Sequence, residues 1–363
     1  MTALRVVSVV GTRPNFMKIA PIAAELARRG DAFEHRLVHT GQHYDASMSE
    51  VFFEQLGVGE PDVRLEVGAG THAETTARVM ERLEPVLTEA APDVVLVPGD
   101  VNSTLAASLV ATKLGIRVAH VEAGLRSFDR TMPEEINRIL TDAISDPLFI
   151  HSPEARAHLL REGRPEGAIH DVGNTMIDTL VAMREQIAAQ AAARALGLTP
   201  GEYLVVTLHR PALVDGPLLT DALKALEQVG RELPVVFPAH PRTTARMHAM
   251  GLDLSSPHVR VVEPLGYLEF LSLLADAAGA LTDSGGIQEE TTYLGVPCLT
   301  LRDNTERPVT VEMGTNVLLG LSPERIVEAP ALIAEVRARA AQVPPGWDGR
   351  ASERIADVLA ALR

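Results

Sequence analysis

Cysteine is almost missing from this chain: Cys298 is the single one among 363 residues. An intramolecular disulfide is therefore excluded, and a reducing compartment, the cytoplasm, is the expected location. Cations are in deficit as well, since 33 Lys and Arg against 48 Asp and Glu leave a formal net charge of −15. That balance opposes non-specific attraction to nucleic acid or to an anionic membrane, so neither is expected as a partner. Aromatic residues make up only 4% of the chain, too few for base-stacking platforms. The apolar opening run Leu4–Val10 is far too short to span a bilayer, lacks a small-residue cleavage site after it, and reads as a buried strand.

What the chain does have is enough apolar material, 46% of its residues, to fill two cores of ordinary size. Short β-branched runs alternate with longer amphipathic segments. Residues 4–10, 34–40, 93–98, 117–121, 147–151 and 168–172 read as strands with helices between them. The pattern restarts after Gly173, with candidate strands at 203–208, 234–238, 259–262, 279–282 and 297–301. Stacked right-handed βαβ units give a parallel sheet covered on both faces, so two doubly wound, Rossmann-like α/β domains are expected. The divisions predicted are 1–171 for the first domain and 172–348 for the second, with a turn at 171–174 between them. Residues 349–363 read as one amphipathic helix, whose return to the first domain periodicity leaves open.

In an open parallel sheet, ligands bind beyond the carboxyl ends of the strands, so polar residues that follow apolar runs are the candidates. After the first strand comes Gly11-Thr12-Arg13-Pro14-Asn15-Phe16-Met17-Lys18. It puts two cations where a helix begins, an arrangement suited to phosphate or carboxylate. The G-x-G-x-x-G fingerprint is missing from this turn, which argues against NAD or FAD, and no cofactor is expected. Residues 94–98 deliver Asp100 and residues 118–121 deliver Glu122 to the same sheet edge. Pro133-Glu134-Glu135-Ile136-Asn137-Arg138 opens a further helix nearby in the sequence. Paired acids in one site can divide into acid and base. Asp100 and Glu122 fit helix caps as well.

In the second half, one strand ends at His209-Arg210 and the next at His240-Pro241-Arg242, two groupings that suit an anion. Neither stretch has His-x-x-x-His or Cys-x-x-Cys spacing, and no metal site is expected. Residues 278–282 run into Asp283-Ser284-Gly285-Gly286-Ile287-Gln288-Glu289-Glu290. Free N–H groups at that turn could cradle a diphosphate, with Glu290 accepting from a ribose diol.

Taken together, these segments resemble the non-hydrolysing UDP-N-acetylglucosamine 2-epimerases over nearly the whole chain. The carriers are GTRPNFMKIAP (11–21), TGQHYD (40–45), PGDVNST (98–104), HVEAGLRS (120–127), PEEINR (133–138), VGNTMID (172–178), VTLHR (206–210), HPRT (240–243), LTDSGGIQEE (281–290) and DNTERPVTVEMGTN (303–316). The resemblance implies a two-domain fold of the glycosyltransferase-B type, a homodimer, and a UDP-sugar held between domains that close around it. It implies catalytic carboxylates at Asp100, Glu122 and Glu134, and His209 at the phosphate and in catalysis. Arg13, Lys18, Ser284, Gly285, Gly286 and Glu290 would face UDP and Arg138 would support the site. Arg210, His240 and Arg307 join the UDP-binding candidates. Two departures stand out. His209-Arg210 is followed by Pro211-Ala212-Leu213 where the family often has R/A-E-N, and Tyr44-Asp45 follows the QH pair, so a second, activating UDP-sugar site is not assumed.

The C2 hydrogen of an N-acetylhexosamine is not adjacent to a carbonyl, so direct abstraction would leave an unstabilised carbanion. Elimination of UDP across C1–C2, giving a 2-acetamidoglucal, followed by re-addition, needs no cofactor. It asks for acids and bases at the ring and cations at the leaving diphosphate. A hydrolysing 2-epimerase, a 2-epimerase of a modified UDP-diacetamido sugar and a UDP-sugar glycosyltransferase are the alternatives.

Overall fold

The computed structural model describes residues 3–41, 59–252 and 256–362, and of Arg13 only the backbone. The Tyr44-Asp45 departure lies outside the described residues. The chain divides into two compact units, Met1–Ala182 with Pro345–Arg363, and Met183–Pro344.

The first unit is built on a parallel sheet of order β3-β2-β1-β4-β5-β6-β7. Its strands are β1 (Leu4–Val10), β2 (Phe33–His39), β3 (Val63–Arg64), β4 (Val94–Pro98), β5 (Arg117–Val121), β6 (Leu148–Ile150) and β7 (Ile169–Asp171). The central strand β4 is buried along its whole length, as a strand covered by helices on both faces must be. Val7, Val9, Val95 and Val97 pack with Leu83 and Leu87 of helix His72–Ala90. The strand order reverses between β1 and β4, the switch point at which doubly wound sheets open a crevice.

Beyond β7, Gly173 sits at φ +84°, and a Cβ there would lie 2.0 Å from the carbonyl oxygen of Gly346. The chain nevertheless stays in the first unit through helix Thr175–Ala182, where Thr179 Oγ1 donates to the Met17 carbonyl at 2.6 Å. The passage to the second unit thus falls after Ala182 rather than at the 171–174 turn. Residues 345–363 belong with the first unit. Buried Asp178 accepts from the N–H groups of Ala351 and Ser352 at 3.0 and 2.7 Å, capping helix Ala351–Ala360. Trp347 Nε1 donates to the His151 carbonyl at 2.9 Å.

The second unit has a parallel sheet of order β10-β9-β8-β11-β12-β13. Its strands are β8 (Leu204–Thr207), β9 (Val235–Pro238), β10 (Val259–Val262), β11 (Gly279–Thr282), β12 (Cys298–Thr300) and β13 (Asn316–Leu318). Leu204, Val206, Phe237, Leu281 and Leu299 form its core with Leu223 and Leu226 of helix Leu218–Gly230. Here the order reverses between β8 and β11. No helix among the described residues is long and apolar enough to cross a membrane.

Candidate functional site

At the first unit's switch point, Asn15 ties the two central strands together. Its Oδ1 accepts from the N–H groups of Gly11 and Thr12 at 3.2 Å each, and its Nδ2 donates to the Pro98 carbonyl at 3.1 Å. Helix Arg13–Arg28, with Pro at its start, carries Lys18 inward, where it is buried and ion-paired with Glu122. Glu122 holds its backbone at φ +71°, a left-handed conformation that costs an ordinary residue on the order of 1–3 kcal/mol and persists only where the surroundings impose it. Gly99 lies beside this pair at φ +67°, where a Cβ would stand 3.0 Å from Lys18 Nζ.

Asp100 is partly exposed and held from helix Pro133–Ile144. Arg138 Nε donates to its Oδ2 at 2.9 Å and Asn137 Nδ2 donates to its carbonyl at 2.9 Å. Arg138 also pairs with buried Glu135, which accepts from the N–H of Ser127 and of Phe128 at 2.9 Å each. Glu134, in the first turn of the same helix, is half-buried and makes no hydrogen bond or ion pair among the described residues. Asp100, Glu122, Lys18 and Arg138 are thus linked through one framework, with Glu134 on the element that carries Arg138.

Behind this framework stands a buried pair that sequence reasoning missed. His120 Nδ1 lies 2.7 Å from Asp142 Oδ1, and Nε2 lies 2.8 Å from the Gly99 carbonyl oxygen. The other Asp142 oxygen accepts from the Gly124 N–H at 3.0 Å and meets Arg126 at 2.8 Å. Burial pushes the Asp142 carboxyl up, but His120 and Arg126 outweigh it and hold the group below its usual range. Arg126 is buried and also bonded to Glu162. It therefore braces the loop behind Glu122.

In the second unit, Thr207 and Thr282 join β8 to β11 through their hydroxyls at 2.7 Å. Asp283 follows β11 directly. Its Oδ2 accepts from the N–H groups of His209 and Arg210 at 2.8 Å each, and its Oδ1 lies 2.8 Å from His209 Nδ1. Burial alone would raise its pKa, yet His209 and the two N–H groups bring it below the ordinary value. Asp283 was legible by the rule that selected Asp100, a carboxylate directly beyond a central strand.

Ser284 opens helix Gly285–Leu294, which carries Gly286, Glu289 and Glu290. A Cβ at Gly285 would meet Arg307 Nη1 at 2.5 Å and Glu306 Oε1 at 2.7 Å, so a packed ion cluster already accounts for glycine there. Arg307 donates to Glu306 at 2.6 Å and stands 3.0 Å from Glu289, and Arg302 donates to the other Glu306 oxygen at 2.8 Å. Arg210 is half-buried with its guanidinium 3.9 Å from Glu306. Glu290 is buried, and desolvation pushes its pKa up to about 8, opposed by a hydrogen bond from Tyr267 and assisted by the charge of Glu289.

His240 is exposed and caps helix Pro241–Ala249, its Nδ1 accepting from the Arg242 N–H at 3.2 Å. Its ring centroid is 6.2 Å from that of His209. Arg242 and Arg246 both pair with Asp215, just beyond the short helix Pro211–Val214 formed by the residues that depart from the family pattern. The geometry of each unit is that of acids and cations fixed at a switch point. Such an arrangement can move protons in the first unit and hold an anion in the second.

Comparison with known proteins shows the family. The family model described as UDP-N-acetylglucosamine 2-epimerase matches residues 24–360. A UDP-N-acetylglucosamine 2-epimerase of Methanocaldococcus jannaschii is 42% identical over 360 residues, which is 97% of either chain. A UDP-2,3-diacetamido-2,3-dideoxy-D-glucuronate 2-epimerase of Pseudomonas aeruginosa is also 42% identical, over 99% of this chain and 100% of its own. The crystal structure of the Methanocaldococcus jannaschii UDP-GlcNAc 2-epimerase in complex with UDP-GlcNAc and UDP superimposes with a TM-score of 0.90 at 40% identity, covering 99% of this chain and 100% of that one. The chain belongs to the UDP-N-acetylglucosamine 2-epimerase family and is an enzyme of the epimerase class.

Proposed function

We propose that this enzyme interconverts UDP-N-acetylglucosamine and UDP-N-acetylmannosamine without hydrolysis, by eliminating UDP and adding it back. The observation that carries this reading is Glu122, an acid in left-handed backbone paired with Lys18 and tied through Gly99 to Asp100. Strain of that kind is kept where a side chain has to be aimed.

In the forward step a carboxylate takes the C2 proton, the C1–O bond breaks with its electron pair going to the β-phosphate oxygen, and a C1–C2 double bond forms. In the return step UDP adds to C1 while a carboxylic acid on the opposite face delivers a proton to C2. Asp100, Glu122 and Glu134 share these transfers. Lys18 and Arg138 hold Glu122 and Asp100 in place as their ion-pair partners. Arg13, His209, Arg210, His240 and the Ser284-Gly285-Gly286 helix start hold the diphosphate, where developing charge is stabilised by fixed donors. Arg307 fixes that helix start from behind, and Glu290 takes the ribose hydroxyls.

A diacetamido-glucuronate substrate is the second reading, because the relative of that specificity is as similar as the UDP-N-acetylglucosamine enzyme. Incubation with each UDP-sugar in deuterated water, followed by NMR, tests both. The expected result is deuterium at C2, appearance of the 2-epimer of UDP-N-acetylglucosamine and no free sugar. Release of free N-acetylmannosamine would replace the reading with a hydrolysing enzyme. Asp100→Asn and Glu122→Gln are expected to lower turnover about 100- to 10,000-fold, and near-normal turnover in either would remove that residue from the mechanism.

A further inference from the structure

We propose that Asp283 is a positioning residue that grips His209 through Nδ1 and thereby reserves Nε2 for the diphosphate. The proposal rests on the reading above, in which His209 meets the leaving group. Asp283 is almost fully buried, its side chain 1% exposed against 42% for His209. The imidazole thus meets a buried carboxylate at Nδ1 while the side chain as a whole is part-exposed. The carboxylate cannot turn away, because its Oδ2 accepts two N–H groups, those of His209 itself and of Arg210, at 2.8 Å each. Its Oδ1 is left at 2.8 Å from His209 Nδ1.

The contact is an ion-pair contact at 2.8 Å rather than an aligned hydrogen bond, and because an ionised carboxylate only accepts, the ring nitrogen facing it carries a hydrogen. The exchangeable proton of the ring is then confined to Nε2. The carboxyl of Asp283 lies below its usual range despite burial, which keeps it ionised. The other charged and titratable groups described beside the imidazole are His240 and Arg210. The His240 ring, 6.2 Å from that of His209, accepts the Arg242 N–H at its own Nδ1, and the Arg210 guanidinium stands 3.9 Å from Glu306. As the C1–O bond breaks, its electron pair moves to the β-phosphate oxygen, and a proton on Nε2 is offered to that oxygen as a hydrogen bond. No bond forms to nitrogen, and the proton stays on the ring for the return step. A neutral ring with its hydrogen on Nε2 instead would leave Nδ1 as a lone pair against the carboxylate.

Nitrogen-15 NMR of the full-length protein, with the His209 signals assigned by their loss in His209→Asn, reads the outcome directly. The expected result is an Nδ1 that stays protonated while Nε2 gains and loses its proton as pH is varied. A titrating Nδ1, or a ring protonated only at Nε2, would overturn the proposal. Asp283→Asn permits the wrong tautomer, and kcat for UDP-N-acetylglucosamine is expected to fall about 100- to 10,000-fold with KM changed less than about tenfold. A kcat within about threefold of wild type would also overturn it. If that variant does not fold, the NMR titration of the wild type decides alone. A wild type that makes no epimer would defeat the functional reading, while the NMR result would still judge Asp283.

Discussion

Glu290 shows how a single buried side chain reports on the state of the protein. Its ordinary pKa of 4.5 rises to about 8 in the folded chain through burial. Between those values the native state therefore holds one more proton than the unfolded chain. Stability is fully present below pH 4.5, falls as pH rises, and is lost through pH 8, by up to about 1.4 kcal/mol per unit. Glu290→Gln is expected to flatten this dependence, so its advantage over wild type in urea unfolding should grow from pH 5 to pH 8. A constant difference would show that Glu290 is already ionised when folded. Residue-level reading of the sequence reached Asp100, Glu122 and His209 because each follows an apolar strand. It passed over His120, which sits inside an apolar strand and gives no periodic signal, and over Asp283, hidden by attention to the Gly-Gly that follows. Arg126, inside the HVEAGLRS segment, braces the loop because Asp142 and Glu162 take its guanidinium.

At the scale of elements, the ends of β4 and β5 and the start of helix Pro133–Ile144 act as one bracket, pinned by His120 and Asp142 behind and by Asn137 and Arg138 in front. His120→Gln breaks the contact with Asp142 and loosens Gly99. The expected cost is about 3 kcal/mol of stability, as for a buried pair that loses one member. Turnover should fall with little change in KM, since the acids rather than the UDP groups lose their seat. A variant with wild-type melting temperature and kcat would show that the bracket is idle. The strands Leu4–Val10, Arg117–Val121, Val259–Val262 and Gly279–Thr282 were legible to the residue, because each is a short, mostly apolar run bounded by polar or turn residues. The edge strands β3 and β13 were not. Val63–Arg64 and Asn316–Leu318 are too short to print a pattern, and only pairing with a formed neighbour makes them strands.

For the whole molecule, the first unit is made of two separated stretches of chain and the second of one. The 171–174 turn offered a plausible boundary, but helix Thr175–Ala182 is buried largely against helix Arg13–Arg28 and belongs with it. Deletion of residues 345–363 removes the buried face formed by Ala351, Ile355, Ala356 and Leu359, and strips Asp178 of the two N–H groups it accepts. Hydrogen exchange is expected to show lost protection throughout Met1–Ala182 while Met183–Pro344 keeps its own. Equal loss in both units, or in neither, would contradict that division.

The split also sets an order of events at the ribosome. Residues 183–344 form a contiguous block, complete before the segment at 345–363 has been made. The earlier-synthesised residues must wait for that later segment before Gly173 can seat against Gly346 and Asp178 can find its amides. The first unit is therefore completed last, although most of it is made first. Until then the apolar surface that Ile355 and Leu359 cover is open, and transiently uncovered surface of that kind is what aggregation and chaperones act on.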